Sequence, residues 1–324
     1  MRDTAADCDA ALAGWLAGSG IGMPAQAPLA VALSGGADST ALLLAAARRW
    51  PGGVVALHVH HGLQAAANDF EVQVQALTGA LGLPLHIERL ALVLRSGDSP
   101  EEVARQGRYR ALARMAMGAG AAAVLLGHQA DDQAETVMLA LGRGAGLPGL
   151  AAMAPRFLRH GVCFGRPLLG LRGDALRRWL RQQGVEFIED PSNADPGLTR
   201  NRIRQELMPA WERCFPAFRD TVARSARHVA QAQVLLEELA RMDLLLTGNP
   251  PAIAALQSLS RERQANALRS WIGALAGRGP STAQLETLLD LLERCRTRGH
   301  RIHLKVADGW VEREGGHLRW TPPV

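Results

Sequence analysis

Two segments of this 324-residue chain place side chains at spacings that suit chemistry. The first is Ser34-Gly-Gly-Ala-Asp-Ser-Thr40, in which Ser34, Gly35, Gly36, Ala37, Asp38 and Ser39 follow an apolar run and open a helical pattern. Two glycines let the backbone approach an anion. The N–H groups of a helix start, with two serine hydroxyls, then bond phosphate oxygens. It is not a Walker loop, which needs more residues between its glycines and a lysine before its Ser/Thr. Without a ligand the same residues would serve as a plain helix start, with Asp38 in the first turn. Beside a polyphosphate, the Asp38 carboxylate is repulsive unless a cation bridges the charges, so the loop and Asp38 together imply Mg²⁺.

The second segment is Gly127-His-Gln-Ala-Asp-Asp-Gln-Ala-Glu-Thr136. His128, Asp132 and Glu135 are spaced by four and three, which puts them on one face of a helical path. Acids at a helix start also complement the dipole, and that reading of the carboxylates stays open. A histidine beside them at a strand end favours chemistry. A further cluster, His58-Val-His-His-Gly-Leu63, ends an earlier strand, but no closed zinc ligand set accompanies it.

These groups need a scaffold, and the apolar pattern supplies one. Strands are expected at 29–33, 54–60, 85–90, 123–127 and 162–164. Helices are expected at 38–49, 68–81, from Ser99-Pro-Glu-Glu102 onward with Ser99 as N-cap, at 129–141 and at 174–183. Strand–helix alternation implies crossover connections and a doubly wound parallel sheet. In such a sheet ligands bind outside the carboxyl ends of the strands. From about Arg200 the pattern turns helical, with a long stretch over 217–243, two helices near 261–275 and 281–293, and short strand-like segments ending at Trp320. The expected division is 1–210 for an α/β nucleotide-binding catalytic domain. A linker helix and a smaller, mainly helical substrate domain follow over 211–324.

Composition narrows the class. The chain is 48% hydrophobic and 21% charged, which excludes disordered, collagen-like and coiled-coil chains. Cys8, Cys163, Cys214 and Cys295 show neither metal nor redox spacing, and free thiols in a reducing cytoplasm are expected. No secretory signal or membrane span is visible. The formal charge of +5 is almost wholly arginine, with Lys305 the only lysine. A high-GC genome would produce that bias, but it would not distribute it as observed. Residues 1–155 carry a net −3, residues 156–204 a net +5 and residues 205–324 a net +3. The excess follows the nucleotide fold, where a polyanionic partner would lie, although an exposed, solvated face would carry the same charge.

The Ser34–Ser39 loop resembles the SGGxDS loop of the PP-loop ATP pyrophosphatases, which cleave ATP between the α and β phosphates. With the later segments, the chain resembles the tRNA(Ile)-lysidine synthetase family. The likeness rests further on His58–Leu63, Ala104-Arg-Gln-Gly-Arg-Tyr109, Gly127–Thr136, Arg143-Gly144, Arg166-Pro-Leu-Leu169, Glu189-Asp-Pro-Ser-Asn193 and Thr199-Arg-Asn-Arg-Ile-Arg204. It departs from the family pattern at His60, where an Asp is usual, and at Gln64, often a basic residue. The resemblance implies an adenine nucleotide α-hydrolase-like fold and a ligase of tRNA modification. ATP would adenylate O2 of the wobble cytidine in a CAU anticodon, and free lysine would then displace AMP to form lysidine. It implies ATP phosphates at Ser34–Ser39, Mg²⁺ at Asp38, and lysine recognition and proton transfer at Asp132 and Glu135. His128 would meet the adenylate or the reacting base, Arg108 a phosphate or the transition state, and Arg200, Asn201 and Arg204 the tRNA. For Arg108 a helix-surface salt bridge is an equal reading, and for Arg200, Asn201 and Arg204 a solvated helix start stays open. The partners implied are isoleucine tRNA and free L-lysine, with a homodimer compatible and no membrane.

Two other functions compete. A related PP-loop tRNA thiolase would often carry paired cysteines, and this chain has no CxxC. A non-catalytic nucleotide- or RNA-binding module would have no use for Asp132 and Glu135 beside a phosphate loop.

Overall fold

The computed structural model describes residues 3–22, 27–60, 67–91, 100–190, 195–297 and 299–323. The chain divides into two compact units, Met1–Arg227 and His228–Val324.

The first unit is built on a six-stranded sheet. Its strands are β1 (Leu29–Ala32), β2 (Val54–His60), β3 (Leu85–Arg89), β4 (Ala123–Leu125), β5 (Arg156–Arg159) and β6 (Val162–Gly165), in the order β3-β2-β1-β4-β6-β5. All neighbours run parallel except β5, which pairs antiparallel with β6. The apolar runs of β1, β2 and β4 are buried almost throughout, as expected for strands covered on both faces. Helices α2 (Ala37–Arg49), α3 (Ala67–Leu81) and α7 (Gly173–Gln182) share one face with α1 (Thr4–Ser19). Helix α4 (Pro100–Gly118) packs through Tyr109, Leu112 and Ala116 on the other. The connections therefore switch faces between β1 and β4, which places a crevice at the carboxyl ends of these two strands.

The expected strands and helices of this unit are present, with ends shifted by a residue or two. The proposed Ser99 cap, and His61 to Gln64, lie outside the described residues. Helix α1, capped by the Asp3 side chain, and strand β5 were not expected. Tyr109, the sole tyrosine, is core: its ring meets Phe157 and Phe164 edge-on.

The chain continues through α5 (Ala130–Gly142), α6 (Leu147–Leu150), α8 (Thr199–Arg202), a π-helical turn Ile203–Leu207 and α9 (Met208–Cys214) to the long α10 (Phe218–Thr247). The second unit holds the end of α10, α11 (Ile253–Gln257), α12 (Arg261–Ala276), α13 (Thr282–Arg294) and an antiparallel sheet β7-β8-β9 (His303–Val306, Gly309–Glu314, His317–Thr321). Ser260 caps α12, and a Ser281/Gln284 capping box starts α13. Trp271, Leu288, Leu292 and Val311 lie in its separate core. Among the described residues no helix is long and apolar enough to cross a membrane.

Candidate active site

Both chemical segments arise at the crevice. The phosphate loop leaves β1 and turns into α2. Gly35 takes φ +91°, a conformation that favours glycine, and its Cβ would sit 3.0 Å from the Phe70 ring. Its carbonyl accepts from the Ile188 N–H at 3.0 Å. Ser39 Oγ accepts from the Ser34 N–H at 3.1 Å, lies 3.0 Å from Ser34 Oγ, and donates to the Gly36 carbonyl. The hydroxyls thus preorganise the loop. No side chain caps α2 at Gly36, so its first N–H groups keep their capacity for an anion.

The neighbouring strand end presses directly on this loop. A Cβ on Gly127 would lie 2.9 Å from the Asp38 carbonyl carbon and 2.9 Å from the Ser39 nitrogen. Only glycine allows β4 to pass so close. One residue later comes His128, and α5 then starts in a capping box: Gln129 Oε1 accepts from Asp131 N–H, and Asp132 Oδ2 accepts from Gln129 N–H. The helix-start reading of Asp132 therefore holds for one of its oxygens. Its other oxygen, Oδ1, lies 3.5 Å from Arg204 Nη2.

Glu135 has no solvent exposure. Its Oε1 accepts from Arg204 Nε at 2.6 Å. Its Oε2 is 3.2 Å from Arg200 Nε, an ion-pair distance, yet receives no aligned hydrogen bond from the described residues. Burial pushes the Glu135 carboxyl up, opposed by the Arg204 bond, and burial likewise pushes Asp132 up, opposed by the Gln129 N–H. Arg200 and Arg204 reach these carboxylates from one helical face, four residues apart. Asp131 points the other way, to the Gly173 N–H and Arg219.

Asp38 completes the acidic side. Burial pushes its carboxyl up to about 6, against the pull of Arg177. Its Oδ1 is buried without a hydrogen-bond partner among the described residues, so the position suits a cation. Among the described residues no group of three His, Cys, Asp or Glu could hold a metal alone. A cation here would need phosphate oxygens to complete its shell, as is usual for Mg²⁺.

His128 stands on the basic side. Arg166 Nε donates to its Nδ1 at 3.3 Å. Burial and the positive charges of Arg166, Arg108 and Arg200 depress its basicity to about 3, so the imidazole is neutral at physiological pH. Arg108 makes no salt bridge with any described carboxylate; its guanidinium is 5.8 Å from the Tyr109 ring centre, and burial lowers its basicity.

The structure thus gathers Ser34–Ser39, Asp38, His128, Asp132, Glu135, Arg108, Arg200 and Arg204 around adjacent strand ends. Asn201 is 5% exposed, its amide donating to the Asp195 carbonyl. Arg200 and Arg204 face the carboxylates here. Three contributors carried no individual role in the sequence reading: Gly127, Arg166 and Arg177. The first two lie in noted segments, but their roles depend on contacts with chain 38 to 89 residues away.

Comparison with known proteins finds two domain families in the chain. A family model described as PP-loop domain matches residues 19–211, and one described as TilS substrate binding domain matches 252–319. A tRNA(Ile)-lysidine synthase of Polaromonas naphthalenivorans is 58% identical over 294 residues, covering 91% of this chain and 89% of that protein. The chain belongs to the tRNA(Ile)-lysidine synthase family. The corresponding synthase of Bordetella bronchiseptica is 42% identical, with 87% of this chain and 85% of that protein covered. Some members are longer: the match spans 60% of the Burkholderia pseudomallei tRNA(Ile)-lysidine synthase. As a member of this family, the protein is an ATP-using ligase that forms lysidine on isoleucine tRNA. Among solved structures, a U34-tRNA thiolase from Methanococcus maripaludis superposes with a TM-score of 0.57 at 18% identity, covering 69% of this chain and 79% of that one. That likeness concerns the fold alone.

Proposed function

We propose that lysidine forms here in two steps, on the wobble cytidine of a CAU anticodon and with free L-lysine as the amine. The observation that carries this reading is the placement of the phosphate loop after β1 and the buried acids of α5 after β4, at adjacent strand ends. The cytosine O2 attacks the α-phosphorus of ATP, and pyrophosphate leaves toward the N–H groups and hydroxyls of Ser34–Ser39. A cytosine C2 carbonyl is a poor electrophile, and the attached AMP converts its oxygen into a good leaving group. The lysine ε-amine then forms a bond to C2 as the C2–O bond to AMP breaks.

The amine arrives mostly as ammonium, its ordinary pKa being about 10.4. Glu135, whose Oε2 receives no aligned hydrogen bond from the described residues, and Asp132 would grip it and accept a proton. Arg108 and His128 face the reacting groups from the opposite side. Asp38 would hold Mg²⁺, which when bound offsets the charge of the phosphates. Arg200 and Arg204 line the approach of the anticodon loop and link tRNA binding to the carboxylates, while Asn201, expected beside them, is buried and holds their segment through the Asp195 carbonyl. The reaction takes place in the cytoplasm, and a homodimer is compatible with these roles.

The test combines purified protein, ATP, Mg²⁺, labelled lysine and an isoleucine tRNA transcript with a CAU anticodon. Label should enter the tRNA only when ATP and that transcript are both present. AMP release driven by another amine or by a sulfur donor, without lysine incorporation, would overturn the reading.

A further inference from the structure

We propose that Arg166 is a positioning residue that fixes the His128 imidazole with its proton on Nε2, making His128 a hydrogen-bond donor in the reaction and not a base. The inference rests on the reading above that His128 faces the reacting groups. An arginine Nε is always a donor, because a guanidinium keeps its protons in proteins. With Arg166 Nε 3.3 Å from His128 Nδ1, Nδ1 must accept. A neutral imidazole whose Nδ1 accepts carries its proton on Nε2.

Arg166 is held in this aim by its own surroundings. Its Nη1 donates to the Ala154 carbonyl at 2.7 Å, and its backbone N–H donates to the Pro155 carbonyl at 2.9 Å. The guanidinium lies over the Phe157 ring, 4.3 Å from its centre, and Phe157 stacks on the buried Phe164. The antiparallel hairpin of β5 and β6 therefore sets where Nε points. The positive charges of Arg108 from α4 and Arg200 from α8 also act on the ring. Among the described residues no carboxylate hydrogen-bonds the imidazole, and none bonds Nε2.

A general-base histidine is normally oriented by an acceptor, often a carboxylate, at the nitrogen away from the substrate. Here a guanidinium occupies that place and reverses the role. Nε2–H can donate to a phosphate oxygen of the departing AMP or to a cytosine lone pair, but it has no lone pair with which to take a proton. The proton lost by the lysine amine must then go to the carboxylate side, at Glu135 or Asp132.

The tautomer can be read directly by NMR of protein labelled with ¹⁵N in its ten histidines, with His128→Asn used for assignment. The expected result at pH 7 is His128 protonated on Nε2 alone. In Arg166→Met the signal should move toward a mixture of tautomers, and kcat should fall about 10- to 100-fold with little change in the KM for ATP. An Nδ1–H form or an imidazolium in the unmodified protein at pH 7 would overturn the inference, whether or not the variant folds. So would an unchanged His128 signal in folded Arg166→Met. Absence of lysine incorporation by the unmodified protein would instead overturn the proposed function, while the spectrum would still report the tautomer.

Discussion

Arg204 Nε sits 2.6 Å from Oε1 of Glu135, although 69 residues of chain separate them. Glu135 is wholly buried and Arg204 is 32% exposed, so the pair stands at the edge of the crevice. A buried carboxylate is costly unless it is paired and hydrogen-bonded. The segment from Thr199 to Leu207 therefore stabilises the start of α5 as well as flanking the site.

Arg204→Met should lower the unfolding free energy by about 2–3 kcal/mol. That is less than the ~3–5 expected for breaking a fully buried pair, since Arg204 is partly solvated and Arg200 remains. Chemical denaturation measures this. The double variant Glu135→Gln/Arg204→Met should recover part of the loss, because no unpaired charge is left buried. A double variant at least as unstable as the sum of the single changes would contradict the pairing.

Glu135→Gln should raise the KM for lysine tenfold or more, while ATP affinity changes less than threefold, the size of a lost charge-assisted hydrogen bond to an ammonium. Steady-state kinetics with each substrate varied in turn separates the two. Equal loss of ATP and lysine use would place Glu135 elsewhere in the mechanism.

Gly127→Ala should damage ATP use more than lysine use. The added methyl meets backbone atoms of Asp38 and Ser39 at 2.9 Å, so the phosphate loop itself must shift. Such overpacking costs about 1–3 kcal/mol. An ATP-binding titration on the folded variant should show affinity weakened at least tenfold. Unchanged affinity would mean that the loop can move aside freely.

His128 gives the stability a pH dependence whose sign is fixed by its environment. Its basicity falls from an ordinary 6.5 to about 3 on folding, with burial the largest cause. Between these values the unfolded chain binds the proton and the folded one does not, so stability is full above pH 6.5 and declines as pH falls toward 3. At pH 5 this group should account for about 1–2 kcal/mol of lost stability relative to pH 8. Denaturation of the unmodified protein and of His128→Asn at both pH values checks this; equal pH slopes would contradict it.

Removal of divalent cations should abolish tRNA-dependent AMP formation, and Mg²⁺ should restore it. Asp38→Asn should raise the Mg²⁺ concentration needed for half-maximal activity, because the buried carboxylate is replaced by a neutral amide. AMP release measured across a Mg²⁺ series in both proteins is the check. Full activity in chelator would remove the cation from the reaction.

The α/β order was readable because β1, β4 and most of β2 are apolar runs, and turn and cap residues mark the helices between them. Strand β5 escaped because Arg156-Phe-Leu-Arg159 has charges at both ends, and it qualifies as an edge strand only by pairing with β6. Helix α1 escaped because its apolar residues are spread around the helix; Cys8, Leu12, Trp15 and Leu16 become core only once α2 and α7 are present. The phosphate loop and the spacing of Asp132 and Glu135 were legible for a local reason, since residues three apart on a helix share a face; His128 precedes the extended cap Gln129, so the helical path expected to include it starts only after it.

What the residues determined by themselves was the order of elements, the anion-binding turn and the acids that stand beside it, all set by interactions within a few positions of chain. What only the tertiary structure decided was how those groups are charged and aimed. Arg204 turns to Glu135, Arg166 donates to His128, and Gly127 lets β4 lie against Asp38. Each such contact joins residues 38 to 89 positions apart. The burial that shifts Asp38 and His128 exists only after the sheet has brought its strand ends together.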